Sequence, residues 1–465
     1  MRQHPFQRHA PLALLMAAAL TLLAACGGAP SSPASSSGTI SSGLTNAPTA
    51  AVAARESGAG ALPAATSAPE SAALGTMPTA GELAADSGAA PPASADSGSE
   101  PGDGGSTTSA APRPQGQEAS LKAGEINDNE HFSDYLDYLK SYQGRDVRLA
   151  DVSERYLIKV IDDNQQPVMN AQVTIYAEDR VVFMGRTYAG GQTIFLPQAI
   201  GVSPNDLSFR VVATYGNASG EVNVKRGGAA QIEIGLRGVQ RDSTLRLDLL
   251  FLLDTTGSMS DELGRIQQTI DSIAQRIDAF SPHPEIRYGM VAYRDIGDEY
   301  VTRPINFSTD LGQFRAALDE LSAQGGGDTP EAVDAAMQDA VVNTKWSDQS
   351  AVRLIFLVAD AGPHIDAQQQ FTYLDGAREA VARGVKVYPI AASNTDAQAE
   401  YVFRQLAQQT MGGFIFLTYQ AGESSGAPGE STTLEAGEQP YTVERLDDLI
   451  VSIVEREMAA AVGAN

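Results

Sequence analysis

The sequence predicts an α/β protein: a doubly wound, mostly parallel six-stranded sheet in the C-terminal half, preceded by an all-β domain of short strands. Three observations predict it. Residues 245–253 and 352–359 are apolar almost throughout, as strands buried on both faces must be. Leu263, Ile266, Ile270, Ile273, Ile277 and Phe280 fall at alternating steps of three and four, one face of a long helix. Between Arg155 and Leu236 the apolar period drops to two, the period of half-buried strands.

The first quarter of the chain is of another kind. Residues 1–25 place Arg2 and Arg8 before an apolar core at 11–23, the build of a secretory signal and too short for a comfortable membrane span. Cys26 is the only cysteine, so no intrachain disulfide exists and a lone thiol on an exported chain needs another reason. Leu23-Ala24-Ala25-Cys26 resembles the lipobox of bacterial lipoproteins. The resemblance implies cleavage before Cys26 and a lipid on its sulfur, hence a chain held at the membrane. Gly27 is not the aspartate that resembles an inner-membrane retention signal, so in a Gram-negative envelope the outer membrane is the expected site. Residues 26–118, dominated by Ala, Ser, Gly, Pro and Thr, cannot form a core and read as a tether. A flexible chain of that length has an r.m.s. reach of about 50 Å. The net charge of −25 argues against nucleic acid as a partner, because a phosphate backbone is repelled by an acidic surface.

Residues 119–150 form a short helical segment in which Phe132, Tyr135, Leu136, Tyr138, Leu139 and Tyr142 make one aromatic face that packs on the next domain. Residues 151–238 hold about seven short runs rich in Val, Ile, Thr and aromatics, separated by turn clusters. Such strands make a sandwich of immunoglobulin-like or transthyretin-like build. The spacing of Val160-Ile161-Asp162, Pro167-Val168 and Ala171-Gln172-Val173 resembles the carboxypeptidase regulatory-like domain, and with no catalytic cluster it reads as a spacer or docking module.

Residues 243–462 alternate strand and helix. Strands are expected at 245–253, 286–293, 301–307 (as an edge), 352–359, 385–391 and 413–418. Helices are marked by Leu263 to Phe280, by Phe314, Leu318 and Leu321, by Val333, Met337 and Val341 after a Pro330 start, by Leu374, Ala377 and Val381 up to Gly384, by Phe403 and Leu406, and by Leu446, Ile450, Ile453 and Met458. Residues 420–440 read as a Gly/Ser/Glu-rich loop.

Three separated features converge on the C-terminal edge of such a sheet, where open α/β proteins bind ligands. They are Asp254-Thr255-Thr256-Gly257-Ser258, the loop Gly325-Gly326-Gly327-Asp328-Thr329-Pro330-Glu331, and Asp360 at the end of an apolar strand. Their order and spacing resemble the von Willebrand factor A domain with its metal-ion-dependent adhesion site. The resemblance implies a cation held by Asp254, Thr256, Ser258, Thr329 and Asp360, with Thr256 standing for a serine but keeping the hydroxyl. Hard oxygen donors of this kind suit Mg²⁺; Mn²⁺ can replace it, and Ca²⁺ is less well matched. The resemblance also implies an open coordination position filled by an Asp or Glu of a protein partner.

Asp254 and Ser258 taken alone would serve equally well as caps of the following helix. Asp328 and Glu331 read as a charge pair at a helix N-terminus, Arg294 and Asp295 as a structural ion pair, and His364 as a solvated loop residue. Asp254-x-Thr-Gly-Ser also looks like the phosphorylated loop of cation-pumping ATPases, but the lysine of that motif is missing. No Asp-Thr-Gly triplet, His-Glu-x-x-His or Gly-Lys-Ser loop is present, and the Gly-x-Ser-x-Gly at residues 422–426 falls in the Gly/Ser/Glu-rich loop and not between a strand and a helix, so no catalysis is expected. The expected function is cation-dependent binding at the cell envelope; the alternative is a scaffold that assembles an envelope complex through the sides of the same domain.

Overall fold

The computed structural model describes residues 121–418, apart from Pro282, Asp328, Ala367, Gln368 and Asn394, and residues 443–463. The signal, Cys26, the tether, the 420–440 loop and Asp328 therefore lie outside the described residues. The chain divides into two units, 1–107 and 108–465, and every described residue belongs to the second. No helix among the described residues is long and apolar enough to cross a membrane.

Strand β1 (Lys122–Ile126) and helix α1 (Phe132–Ser141) open the described chain. Seven strands follow: β2 (Tyr156–Ile161), β3 (Gln172–Ala177), β4 (Arg180–Arg186), β5 (Gln192–Phe195), β6 (Ser208–Tyr215), β7 (Ala218–Lys225) and β8 (Gln231–Gly235). They form a three-stranded sheet, β5-β2-β8, and a four-stranded one, β4-β3-β6-β7. Alternate residues such as Ile158, Val160, Val173, Ile175, Phe209 and Val211 from both sheets meet in one apolar core, which is what the period of two encodes.

The remainder alternates: β9 (Arg246–Asp254), α2 (Ser260–Asp278), β10 (Glu285–Tyr293), β11 (Thr302–Ser308), α3 (Leu311–Asp319), α4 (Val333–Gln338), β12 (Val352–Ala359), α5 (Tyr373–Arg383), β13 (Lys386–Ala391), α6 (Ala397–Gln409), β14 (Phe414–Thr418), β15 (Val443–Arg445) and α7 (Leu446–Ala461). The sheet has eight strands in the order β11-β10-β9-β12-β13-β14-β1-β15, two more than the six counted from the sequence. β10, β9, β12, β13 and β14 run parallel, while β11 and β1 pair antiparallel with their neighbours. The extra strands are β1, which corrects the reading of 119–150 as helical only, and β15, just before the closing helix. β1 reads Lys-Ala-Gly-Glu-Ile, with no alternation and a glycine, and becomes a strand because β14 and β15 supply backbone partners on both sides.

β9 shows how a continuous apolar run serves two cores. Leu247, Leu249, Phe251 and Leu253 face the layer built on α2, α3 and α7; Leu250 and Leu252 face the layer built on α4, α5 and α6. Every one of them is buried, so the strand cannot slip by a residue without exchanging its two faces. On α2 the residues Leu263, Ile266, Ile270, Ile273 and Ile277 are all buried.

Helix α1 lies on the α/β part rather than on the two small sheets alone. Tyr142 packs against Tyr401 of α6 with the rings tilted and 4.5 Å between centroids, and the Arg404 guanidinium lies 3.7 Å over the Tyr138 ring. Tyr135 joins Val152, Ile194, Leu196 and Val381 in a small cluster between the two parts of the chain.

Candidate metal centre

The parallel register fixes where the site forms. Leu253 of β9 is level with Val358 of β12, so Asp254 and Asp360 leave adjacent strands at the same sheet edge. On the other side Asp254 is level with Tyr293 of β10. Thr255 pins the turn to that neighbour: its N–H and its hydroxyl both donate to the Tyr293 carbonyl, at 2.9 and 2.7 Å. Thr255 is thus structural, and the chain beyond it turns back over Asp254.

Thr256 donates to Asp254 Oδ1 twice, from its N–H at 2.9 Å and from its hydroxyl at 2.7 Å. Its Oγ1 also lies 3.2 Å from Ser258 Oγ. The glycine loop docks onto this turn through Gly257 N–H to the Gly325 carbonyl, 3.1 Å, and Gln324 N–H to the Thr255 carbonyl, 3.0 Å. Gly326 has φ +67°, and a Cβ there would sit 3.2 Å from Thr256 Cβ and 3.0 Å from Glu331 Oε1. A glycine is required for the two loops to approach so closely.

Ser258, Thr329, Asp360, Glu331 and the three loop glycines line one cavity of about 420 Å³. Asp254 and Thr256 are buried beside it, while Ser258 and Thr329 are exposed at its mouth. The structure thus brings together the five residues singled out from the sequence. Burial, and then repulsion by Asp360, pushes the Asp254 carboxyl up to about 7. Burial pushes Asp360 up to about 6, against the lowering effect of a hydrogen bond from Ser258. Asp254 Oδ2 and Asp360 Oδ1 are buried without a hydrogen-bond partner among the described residues. Such orphaned anionic oxygens are costly, and a hard cation among hydroxyl donors is the partner that fits them. Among the described residues no three His, Cys, Asp or Glu side chains form a metal cluster by themselves, so the hydroxyls are essential to the donor set.

Several neighbours differ from the reading of the sequence. Glu331 is not on a helix: α4 begins only at Val333, because the chain from Glu331 first bridges to the loop beyond Asp360, with Glu331 N–H on the Gly362 carbonyl at 2.9 Å. The Glu331 side chain is buried in the site, and burial followed by repulsion from Asp254, Asp295, Asp360 and Asp298 drives its carboxyl to about 9. Arg294 does not pair with Asp295. It reaches Glu299 at 3.2 Å and stacks over Tyr300, while Asp295 Oδ1 lies 2.6 Å from His364 Nε2. His364 is therefore engaged rather than solvated. Asp298 accepts from Gly326 N–H at 2.8 Å and so anchors the glycine loop. The turn Asp295-Ile296-Gly297-Asp298 was the one signal in the sequence that could have pointed to it.

Residues 248–419 match the family model of the von Willebrand factor A domain. The chain carries a von Willebrand factor A domain. The rat von Willebrand factor A domain-containing protein 7 is 34% identical over 133 residues, 28% of this chain and 14% of that protein. The alpha-protein kinase vwkA of Dictyostelium discoideum is 32% identical over 120 residues, 25% of this chain and 19% of that protein. Each match thus spans less than a fifth of the relative's own length. Among solved structures, BatB from Bacteroides thetaiotaomicron is 12% identical, covers 46% of this chain and 98% of its own, and superposes with a TM-score of 0.32.

Proposed function

We propose that this chain is a lipid-anchored protein of the bacterial cell envelope that binds a protein or surface ligand through a divalent cation. Asp254, Thr256, Ser258, Thr329 and Asp360 would hold the ion. One observation carries the reading: two buried carboxylate oxygens, Asp254 Oδ2 and Asp360 Oδ1, have no hydrogen-bond partner among the described residues, beside a cavity whose mouth presents the Ser258 and Thr329 hydroxyls. When bound, the ion supplies a positive centre that can accept the carboxylate of a partner's Asp or Glu. Mg²⁺ suits the compact oxygen donors best, Mn²⁺ can substitute, and Ca²⁺ fits less well.

The chain's own residues prepare that contact. Thr256 occupies Asp254 Oδ1, which leaves Oδ2 for the ion. The Tyr293 carbonyl fixes Thr255, and Asp298 fixes Gly326, so the hydroxyls are presented by loops tied at both ends. The anchor rests on Cys26 and its resemblance to a lipobox, with the outer membrane as the favoured location and residues 26–118 as the tether. Residues 151–238, read as a carboxypeptidase regulatory-like sandwich, serve as spacer or docking module. No nucleic acid partner and no enzymatic step belong to this reading.

A scaffold role is the second reading. In it the A domain assembles an envelope complex through its sides and the ion only stabilises the loops; it is favoured by a cavity of about 280 Å³ on the side of that domain, where Ala377, Arg378 and Val381 of α5 face Phe183 and Ile194. Capture of envelope proteins by the chain from residue 27 onward, with Mg²⁺ or with a chelator, separates the two. Binding lost on chelation and in Asp254→Ala supports the cation; binding indifferent to both leaves only the scaffold.

A further inference from the structure

A second polar cavity, of about 450 Å³, opens between the small sheets and the A domain and shares no residue with the metal centre. Its size is that of a small-molecule site, roughly 300–1,000 Å³. Lys159 of β2, Tyr188 and Gln192 of β5 line one side; Lys386 of β13 and Arg456 and Glu457 of α7 line the other. Most of the charge there is already matched. Lys386 pairs with Glu457 at 2.6 Å, Glu457 also accepts the Tyr388 hydroxyl at 2.8 Å, and Arg456 pairs with Glu125 at 2.8 Å. Glu130, the other acid on the wall, is exposed to water. Lys159 is left over. It is half-buried, and its ammonium makes no ion pair or hydrogen bond among the described residues, although Glu233 is level with it on β8. Gln192 is level with Lys159 on the other neighbour, β5, and its amide is likewise unbonded among the described residues. Tyr188 is 3% exposed with Lys386 5.5 Å over its ring, and its hydroxyl has no hydrogen-bond partner among the described residues.

We propose that this cavity is a binding site for a carboxylate ligand, held on Lys159 with the Gln192 amide and the Tyr188 hydroxyl as further donors. A buried donor left without an acceptor costs free energy, so a hydroxyl in this state marks a place where an acceptor belongs. Water can satisfy the hydroxyl, but only an anion also satisfies the ammonium. One unpaired cation calls for one negative charge, which fits a carboxylate better than a doubly charged phosphate. The carboxylate can be that of a free small acid or the end of a peptide. The site does not depend on the metal centre proposed above.

The test is saturation-transfer NMR of the purified full chain in chelator, titrated with propionate, with N-acetylalanine as the mimic of a peptide end, and with neutral N-acetylalaninamide. At least one of the two acids should bind saturably and the amide should not. Equal Kd values for the acids point to a free acid as the source, and tighter binding of N-acetylalanine points to a peptide end. Lys159→Gln should raise the Kd by roughly tenfold or more, and Tyr188→Phe by about three- to tenfold, the usual cost of losing a charged and a neutral hydrogen bond. Ligand-free Tyr188→Phe should melt no lower than the parent, because its hydroxyl has no bond to lose. Asp254→Ala should bind the acids as the parent does, which separates this cavity from a carboxylate seated on the metal centre. The proposal is overturned if neither acid binds, if the amide binds as well as they do, or if inorganic phosphate binds more tightly. A Kd unchanged in both Lys159→Gln and Tyr188→Phe, a loss of binding in Asp254→Ala, or a lower melting temperature of ligand-free Tyr188→Phe overturns it equally.

Discussion

Arg404 and Asp128 form a fork, with Nη2 to Oδ1 at 2.6 Å and Nε to Oδ2 at 3.0 Å, between side chains only 4% and 2% exposed. The pair joins helix α6 to the turn that follows β1, residues separated by 276 positions. With Arg456 on Glu125 and the Leu446 N–H on the Leu121 carbonyl, it ties the segment that precedes the two small sheets into the A domain.

Burial decides which of these ties matters. Removing Asp128 takes the forked partner from a buried guanidinium that keeps only Glu400, at 3.2 Å, so Asp128→Ala should cost about 3 kcal/mol in urea unfolding. The Arg456–Glu125 pair, with side chains 51% and 15% exposed, is screened, and Glu125→Ala should cost at most about 1 kcal/mol. Equal costs for the two substitutions would contradict the ranking.

Gly326 should not tolerate a side chain. At φ +67°, alanine costs about 1–2 kcal/mol for the backbone alone. Its Cβ would also press on Thr256 and Glu331. Gly326→Ala should therefore lower both the melting temperature and Mg²⁺ affinity, measured by calorimetry; loss of stability with unchanged affinity would place the loop outside the site.

Asp334 supplies a pH dependence away from the metal centre. It is buried on α4, and its Oδ1 accepts the Tyr373 N–H at 2.7 Å. Burial raises its carboxyl from 3.8 to about 7, so between those values the folded chain holds a proton that the unfolded chain releases. Stability from this group is therefore lost as pH rises from about 4 to about 7, by at most about 1.4 kcal/mol per pH unit. Asp334→Asn keeps the acceptor and should flatten that slope in denaturant titrations run across the range.

What could be read in advance depended on how local the cause was. β9 and β12 were legible because burial on both faces leaves a continuous apolar run. Asp254, Thr256 and Ser258 were legible because their spacing lies within one turn. β1 was not, since its strand form comes from β14 and β15 and not from Lys-Ala-Gly-Glu-Ile. Glu331 was misread because Pro330 suggested a helix start, whereas the backbone first bridges to Pro363. The contact of His364 with Asp295 spans 69 positions between two loops, and no local pattern announces it.

The central claim is that the edge where Asp254 and Asp360 meet holds a divalent cation. Isothermal titration of the chain from residue 27 onward with Mg²⁺ tests it most directly, with Asp254→Ala beside the parent. A single saturable site in the parent that is absent from a folded Asp254→Ala is the predicted result; no binding by the parent, or the same isotherm in both, would contradict it.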